Sequence, residues 1–236
     1  LFNDSSTDAA YNSSTGDYTS GSIMEYCVIE YAGGTSVSDN GAIRLNNAHP
    51  CINYCTIRNN SAPGVYAYNI SGALKITNST ITDNNNNASV TVAHAKGAGI
   101  YVSHSSGGAT TISGNTIKNN TASSYYSYGG GIYIYDGTVT LTNNTISGNT
   151  ASSYYSYGGG IYSVYGIVTL TKNTISGNTA KNAAAVYYIT YPNVGYDGKG
   201  FKYNTITGNT ATDSSDTYTV YVSSYPLINY NNIYDN

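Results

Sequence analysis

Glu25 and Glu30 stand five residues apart near the start of the chain, with Arg58 further on. Two carboxylates at a set separation are what glycoside hydrolysis requires, one as acid and one as base or nucleophile. Asp136, in an Asp-Gly pair, is the other acid placed where a turn would present it. The rest scatter: Asp4, Asp8 and Asp17 come early, Asp83 falls in a turn, and Asp197, Asp213 and Asp216 fall in loops. His49, His94 and His104 lie in different loops without metal-ligand spacing, so each is expected to be structural and no metal or cofactor is implied. No Ser-His-Asp, P-loop or zinc pattern can be assembled. The Gly-Gly-Gly runs at 129–131 and 158–160 lead into strands rather than a helix N-terminus, which points to close packing instead of phosphate binding. No catalytic residue is therefore expected, and Glu25, Glu30 and Asp136 stay as the weakest-case candidates.

The composition narrows the field further. Of 236 residues only 9% are charged, against about a quarter in an ordinary domain. Nine basic residues spread thinly over a chain of net charge −3 lack the concentrated footprint that nucleic acid binding needs. Apolar runs are too short to span a bilayer, and no signal peptide is present, so the chain reads as a mature or trimmed form. A neutral surface of hydroxyls and amides suits an extracellular or assembled protein. The N-x-S/T triplets at Asn3, Asn12, Asn59, Asn69, Asn78, Asn87, Asn119 and Asn143 agree with secretion and carry little weight in so Asn-rich a chain.

What positions these residues is a repeat. Ile29, Ile57, Ile81, Ile117, Ile146, Ile175, Ile206 and Ile233 follow one another at spacings of 28, 24, 36, 29, 29, 31 and 27. Five residues before each stands Met24, Ile52, Ile76, Ile112, Leu141, Leu170, Phe201 or Ile228. Three residues after all but the first stands Asn60, Asn84, Asn120, Asn149, Asn178, Asn209 or Asn236, with Ala32 the exception. Apolar residues alternate over segments of four to six residues closed by Asn-Asn, Gly-Asn or Asp-Gly, so the segments are strands ended by turns. In the fifth copy they run roughly Val139–Thr142, Thr145–Ser147 and Gly131–Tyr135.

A unit this small cannot bury its own apolar face, whereas stacked coils can. The fold expected is all-β, a single-stranded right-handed parallel β-helix of about eight coils over residues 22–236, with three short parallel sheets. Residues 1–21 form a polar N-terminal segment, a cap or an inter-subunit arm. At about 4.8 Å per coil the stack would be about 40 Å long. The asparagines would form a ladder of side-chain amides. Insertions at 85–97 and 190–199 break the period.

A further register follows the glycines. Ile43, Val65, Ile100, Ile132, Ile161, Val186 and Val220 point inward, so the next residues point out. Those are Arg44 and then Tyr66, Tyr101, Tyr133, Tyr162, Tyr187 and Tyr221, an exposed tyrosine column that the loop tyrosines of SSYYSYGGG enlarge. It has three readings: a sugar-binding strip, an assembly face, or a ladder that stabilises its own sheet. Cys27 and Cys55 occupy one inward register on adjacent coils, at a spacing that suits either a disulfide or a buried pair of thiols. Cys51 should face outward, as an intermolecular cysteine or an unpaired thiol. Arg58 stacks on the register of Glu30, which reads as an exposed ion pair between coils.

The segment GGGIY…GTVTLTNNTISGNTA resembles the right-handed β-helix repeats of the pectate-lyase-like superfamily, and among them the GGAI-type repeats of prokaryotic surface proteins and adhesins. The likeness covers roughly residues 22–236. It implies the fold and leaves function open among lyases, glycosidases, adhesins and structural proteins. The expectation that follows is a non-enzymatic extracellular subunit of a cell-surface filament, sheath or layer, partnered by copies of itself end to end and laterally. An adhesin that binds surface glycans through the tyrosine column is the alternative, and a polysaccharide lyase or glycosidase the third.

Overall fold

A computed structural model describes residues 6–33, 40–87, 94–105, 107–190, 200–213, 218–223 and 227–236. Among these residues no helix forms, and strands of two to six residues coil into three long parallel sheets. The first sheet has eight strands, from Ile23–Glu25 to Leu227–Asn229. The second also has eight, from Val28–Glu30 to Asn232–Tyr234. The third has seven, from Ile43–Asn46 to Val220–Ser223. Each coil passes through them in that order, and every strand but those at the sheet ends pairs with its equivalents one coil before and after. In the fifth coil the observed strands are Thr138–Thr142, Thr145–Ser147 and Ile161–Val164.

The registers hold residue for residue. Ile29 pairs with Ile57, Ile57 with Ile81, and so on to Ile206 with Ile233. Met24 through Ile228 pair likewise in the first sheet. These two rows and the inward row of the third sheet fill the lumen, where Ile52, Ile57, Ile76, Ile81, Ile112, Ile117 and Leu141 have no exposed surface. Each such side chain contributes about 1.5–3 kcal/mol on burial, which is why strands of three residues persist. Glycine makes the close approach between coils: a Cβ on Gly131 would sit 2.6 Å from the carbonyl oxygen of Gly160.

Two features depart from the expected outline. The tyrosine-rich loops are partly ordered as strands, giving two further short parallel sheets. One has five strands, including Thr121–Ser123 and Thr150–Ser152. The other has three, His94–Lys96, Tyr126–Tyr128 and Tyr155–Tyr157. Of the two insertions, residues 88–93 and 191–199 lie outside the described residues. The second feature is the N-terminal segment, in which Ala10–Tyr11 pairs antiparallel with Tyr18–Ser20. This hairpin lies along the side of the first coils. Ala9 N–H donates to His49 O at 3.0 Å, and Lys75 Nζ donates to Gly16 O at 2.6 Å. The Lys75 ammonium also stands 3.7 Å from the centre of the Tyr11 ring.

That hairpin overturns the expectation for Cys51. Its register does face away from the lumen, paired with Ile23 and Lys75. Yet the side chain is buried, because Tyr11 lies against it, and the burial pushes the thiol pKa up. A covered thiol of raised pKa is a poor partner for another molecule.

Candidate functional site

The polar residues of this protein converge at corners rather than in a cleft. On each side of the second sheet the chain turns through one residue of positive φ followed by a ladder residue. Before the strand these are Tyr26, Tyr54, Asn78, Gly114, Asn143, Lys172, Tyr203 and Tyr230. After it come Tyr31, Asn59, Asp83, Asn119, Gly148, Gly177, Gly208 and Asp235. A left-handed residue at each corner reverses the chain within two residues and aims the next side chain inward. Asn, Asp and Gly reach that conformation most easily.

The residues that follow the second corner form the expected asparagine ladder, Asn60, Asn84, Asn120, Asn149, Asn178, Asn209 and Asn236. Successive side chains are joined Nδ2 to Oδ1 at 2.7, 2.9, 2.9, 3.0, 2.9 and 3.0 Å. Asn149 shows why the arrangement is stable. Its Oδ1 accepts from Asn120 N at 3.0 Å and Asn120 Nδ2 at 2.9 Å. Its Nδ2 donates to Ile117 O at 2.9 Å and to Asn178 Oδ1 at 3.0 Å. All the bonding capacity of the buried amide is filled, so burial carries no unpaired polar cost. Ala32 fits the same scheme, because at the head of the ladder only its backbone N–H is needed, donating to Asn60 Oδ1 at 2.8 Å.

A second ladder runs along the first corner, and the sequence reading missed it. Asn115, Asn144, Asn173, Asn204 and Asn231 are joined at 3.1, 2.9, 3.0 and 2.8 Å. Each directly precedes the Thr-Ile, or in the last coil Asn-Ile, of its strand. That recurrence is the available signal, and it is hidden because Asn-Asn and Gly-Asn read equally well as turn residues. Towards the N-terminus the same line continues through Ser79, Cys55 and Cys27. Ser79 N donates to Asn115 Oδ1 at 2.8 Å and Cys55 N to Ser79 Oγ at 3.1 Å. Cys27 and Cys55 are thus adjacent rungs, as expected, but both thiols are free and only Cys55 is buried: Cys27, on the first described coil, is exposed, so neither a disulfide nor a buried pair of thiols forms. Cys27 Sγ lies 3.2 Å from Glu25 O and Cys55 Sγ 3.4 Å from Met24 O, so the thiols bond to backbone carbonyls where a disulfide was one expectation.

The tyrosine column also forms, and it is not the open face that strand alternation implied. Ring centres from Tyr66 through Tyr101, Tyr133, Tyr162 and Tyr187 to Tyr221 are 4.5, 5.2, 5.4, 5.1 and 4.8 Å apart, with planes within 15° of parallel. Tyr66 is only 8% exposed and Tyr133 only 4%. The three-stranded sheet supplies a second layer: Tyr128 meets Tyr162 at 4.9 Å, Tyr157 meets Tyr187 at 5.1 Å, and Lys96 Nζ lies 5.4 Å from the Tyr133 ring. Burial raises the phenol pKa of Tyr133 and Tyr162 and lowers that of the Lys96 ammonium. Each ring spends its faces on its neighbours, which leaves edges rather than platforms for a sugar ring.

The acids sit apart, each engaged locally. Glu25 accepts from Asn53 Nδ2 at 2.6 Å, and Glu30 pairs with Arg58 Nε at 2.8 Å on adjacent strands. Asp136 accepts from Gly137 N at 2.7 Å. Two of the histidines fasten a third corner. His49 Nε2 accepts from Ser71 N at 3.2 Å and Gly72 N at 2.8 Å, so its proton is on Nδ1, 2.8 Å from Asp8 Oδ1. His104 lies between Asp136 O and Thr110 Oγ1, both at 3.0 Å, and burial lowers its pKa. His94 stacks on Tyr126 at 4.8 Å. Among the described residues no group of three or more His, Cys, Asp or Glu could hold a metal ion.

Three long parallel sheets, an apolar lumen and polar ladders at the corners define a parallel β-helix. A family model described as a right handed beta helix region matches residues 98–236, more than half of the chain, and the chain belongs to that family. Comparison with curated proteins and with solved structures gives no match.

Proposed function

We propose that this is a non-enzymatic structural protein of an extracellular, prokaryotic surface, a β-solenoid subunit that associates with copies of itself into a filament, sheath or layer. The observation that carries this reading is the pair of amide ladders. Twelve asparagines commit their side-chain amides to the neighbouring coil, seven on one corner and five on the other. The acids with the best claim to catalysis are likewise engaged, with Glu25 on Asn53, Glu30 on Arg58 and Asp136 on Gly137. Exposed tyrosines at the turns, Tyr31, Tyr154 and Tyr230 among them, supply lateral contact area of the kind that protein interfaces use.

Electron microscopy and sedimentation of the purified chain test the reading. Ordered, denaturant-resistant polymers are the expected result. A stable monomer at high concentration, or cleavage of an acidic polysaccharide, overturns it. The cofacial stacking speaks against glycan recognition through the column. Binding on a glycan array that is lost in the Tyr133→Ala, Tyr162→Ala double variant would restore that alternative.

A further inference from the structure

One line of corners places tyrosine where the backbone disfavours it. The eight residues before the second ladder, Tyr26 through Tyr230, all have φ between 49° and 67°. Asn78, Gly114 and Asn143 suit that conformation, whereas a bulky side chain there costs on the order of 1 kcal/mol or more. Tyrosine nevertheless fills four of the eight positions, and in adjacent pairs. Tyr26 and Tyr54 have ring centres 5.3 Å apart with planes 3° from parallel. Tyr203 and Tyr230 have centres 5.2 Å apart with planes 7° from parallel. Stacking returns about 0.5–1.5 kcal/mol per pair, no more than the two backbone penalties together.

The pairs also differ from the central column in access. Their rings are 50–75% exposed, while Tyr133 is enclosed by neighbouring rings and Lys96. A diffusing oxidant therefore reaches the turn pairs more readily than the column, whose members are buried at Tyr66 and Tyr133 and half-buried elsewhere. Two phenols held face to face on adjacent coils are poised for one further reaction.

We propose that Tyr26–Tyr54 and Tyr203–Tyr230 are sites of oxidative cross-linking, each forming one dityrosine bond between neighbouring coils. Each phenol gives up one electron and one proton to a peroxidase-class oxidant. The two resulting phenoxyl radicals couple through ring carbons ortho to oxygen, and the two hydrogens on those carbons move to the oxygens to restore both phenols. One hydrogen peroxide takes up the two electrons and two protons and leaves as two waters. The new bond ties the first described coil to the second, and the last to the one before it.

The test is to treat the dilute full chain with peroxidase and hydrogen peroxide, then to map linked peptides by mass spectrometry. Expected are a loss of two hydrogens per bridge, dityrosine fluorescence, a species that remains monomeric, and linked peptides joining Tyr26 to Tyr54 and Tyr203 to Tyr230. Tyr54→Phe and Tyr203→Phe keep the stacked rings but remove the abstractable phenol hydrogen, so each should abolish its own bridge and leave the other. Tyr31, 78% exposed and without a ring partner among the described residues, is the internal control and should form no intramolecular bridge. Absence of dityrosine, linkage only between molecules, or bridges at Tyr31 or at the buried Tyr133 would each overturn the proposal.

Discussion

The two corners of the second sheet are built on one plan, yet they differ in how strictly asparagine is required. Along the second corner seven asparagines run without interruption from Asn60 to Asn236. Along the first corner five asparagines give way to Ser79, Cys55 and Cys27. The backbone hydrogen bonds continue through the substituted rungs, and Ser79 keeps one acceptor for Cys55 N while donating to Thr77 O at 2.8 Å. A hydroxyl therefore suffices where a rung has only to receive one N–H. A full amide is needed where a rung must also bond the carbonyl of the preceding coil.

Removing an amide from mid-ladder should have the largest effect. Asn149→Ala strands Asn120 N, Ile117 O and one of the two Asn120 Nδ2 hydrogens, the other staying on Ile81 O, at about 1–3 kcal/mol per buried unpaired group before relaxation. A loss of roughly 3–5 kcal/mol in urea unfolding is expected, and Asn144→Ala on the other corner should match it. A clear inequality would mean that the corners are not equivalent.

Asn115→Ser copies the natural substitution at Ser79. It retains an acceptor for Ser79 N but abandons Ile76 O, now bonded at 2.8 Å, so a loss of about 1–2 kcal/mol is expected by the same measurement. A loss equal to that of Asn149→Ala would sink the account of Ser79 as a tolerated rung.

The third corner contrasts with both ladders because it is held by a titratable ring. Amides do not ionise in the physiological range, whereas the folded protein lowers the pKa of His104 by burying it. Below about pH 6.5 the unfolded chain then binds more protons at this site than the folded one. Stability should fall as pH drops through that value, and the fall should continue until the folded-state pKa is passed. The urea midpoint of His104→Gln should depend less on pH in this window. An unchanged slope would remove His104 as the cause.

The smallest effect is a gain. Ala32→Asn adds a rung at the head of the first-described ladder, where Asn60 Oδ1 receives Ala32 N and has room for a second donor. About 0.5–1 kcal/mol of stabilisation is expected. Destabilisation would show that the first coil cannot seat the amide.

Much of this was legible in the chain. The lumen rows and the Asn60–Asn236 ladder follow from spacing, because stacking coils in register carries every equivalent residue to the same place. The second ladder was equally periodic, at Asn115, Asn144, Asn173, Asn204 and Asn231, and was missed because each of these asparagines also reads as half of a turn. The outward direction of Tyr133 followed from alternation, but its enclosure did not. That enclosure depends on where Tyr126–Tyr128 and Lys96 fold back across the sheet. Cys51 failed in the same way, since the hairpin that covers it has no periodicity to announce its seat.

Which residues stack on which is written in the chain, since a repeat whose insertions fall in the loops leaves a coil one way to bury its isoleucines and pair its amides. Which outward residues meet solvent emerges with the folded chain. Exposure depends on segments that cross from elsewhere in the chain, and an irregular loop or hairpin has no local pattern that fixes where it lands. So Cys51, in an outward register, ended beneath Tyr11, while Tyr26 and Tyr54, one corner away, stayed in the open.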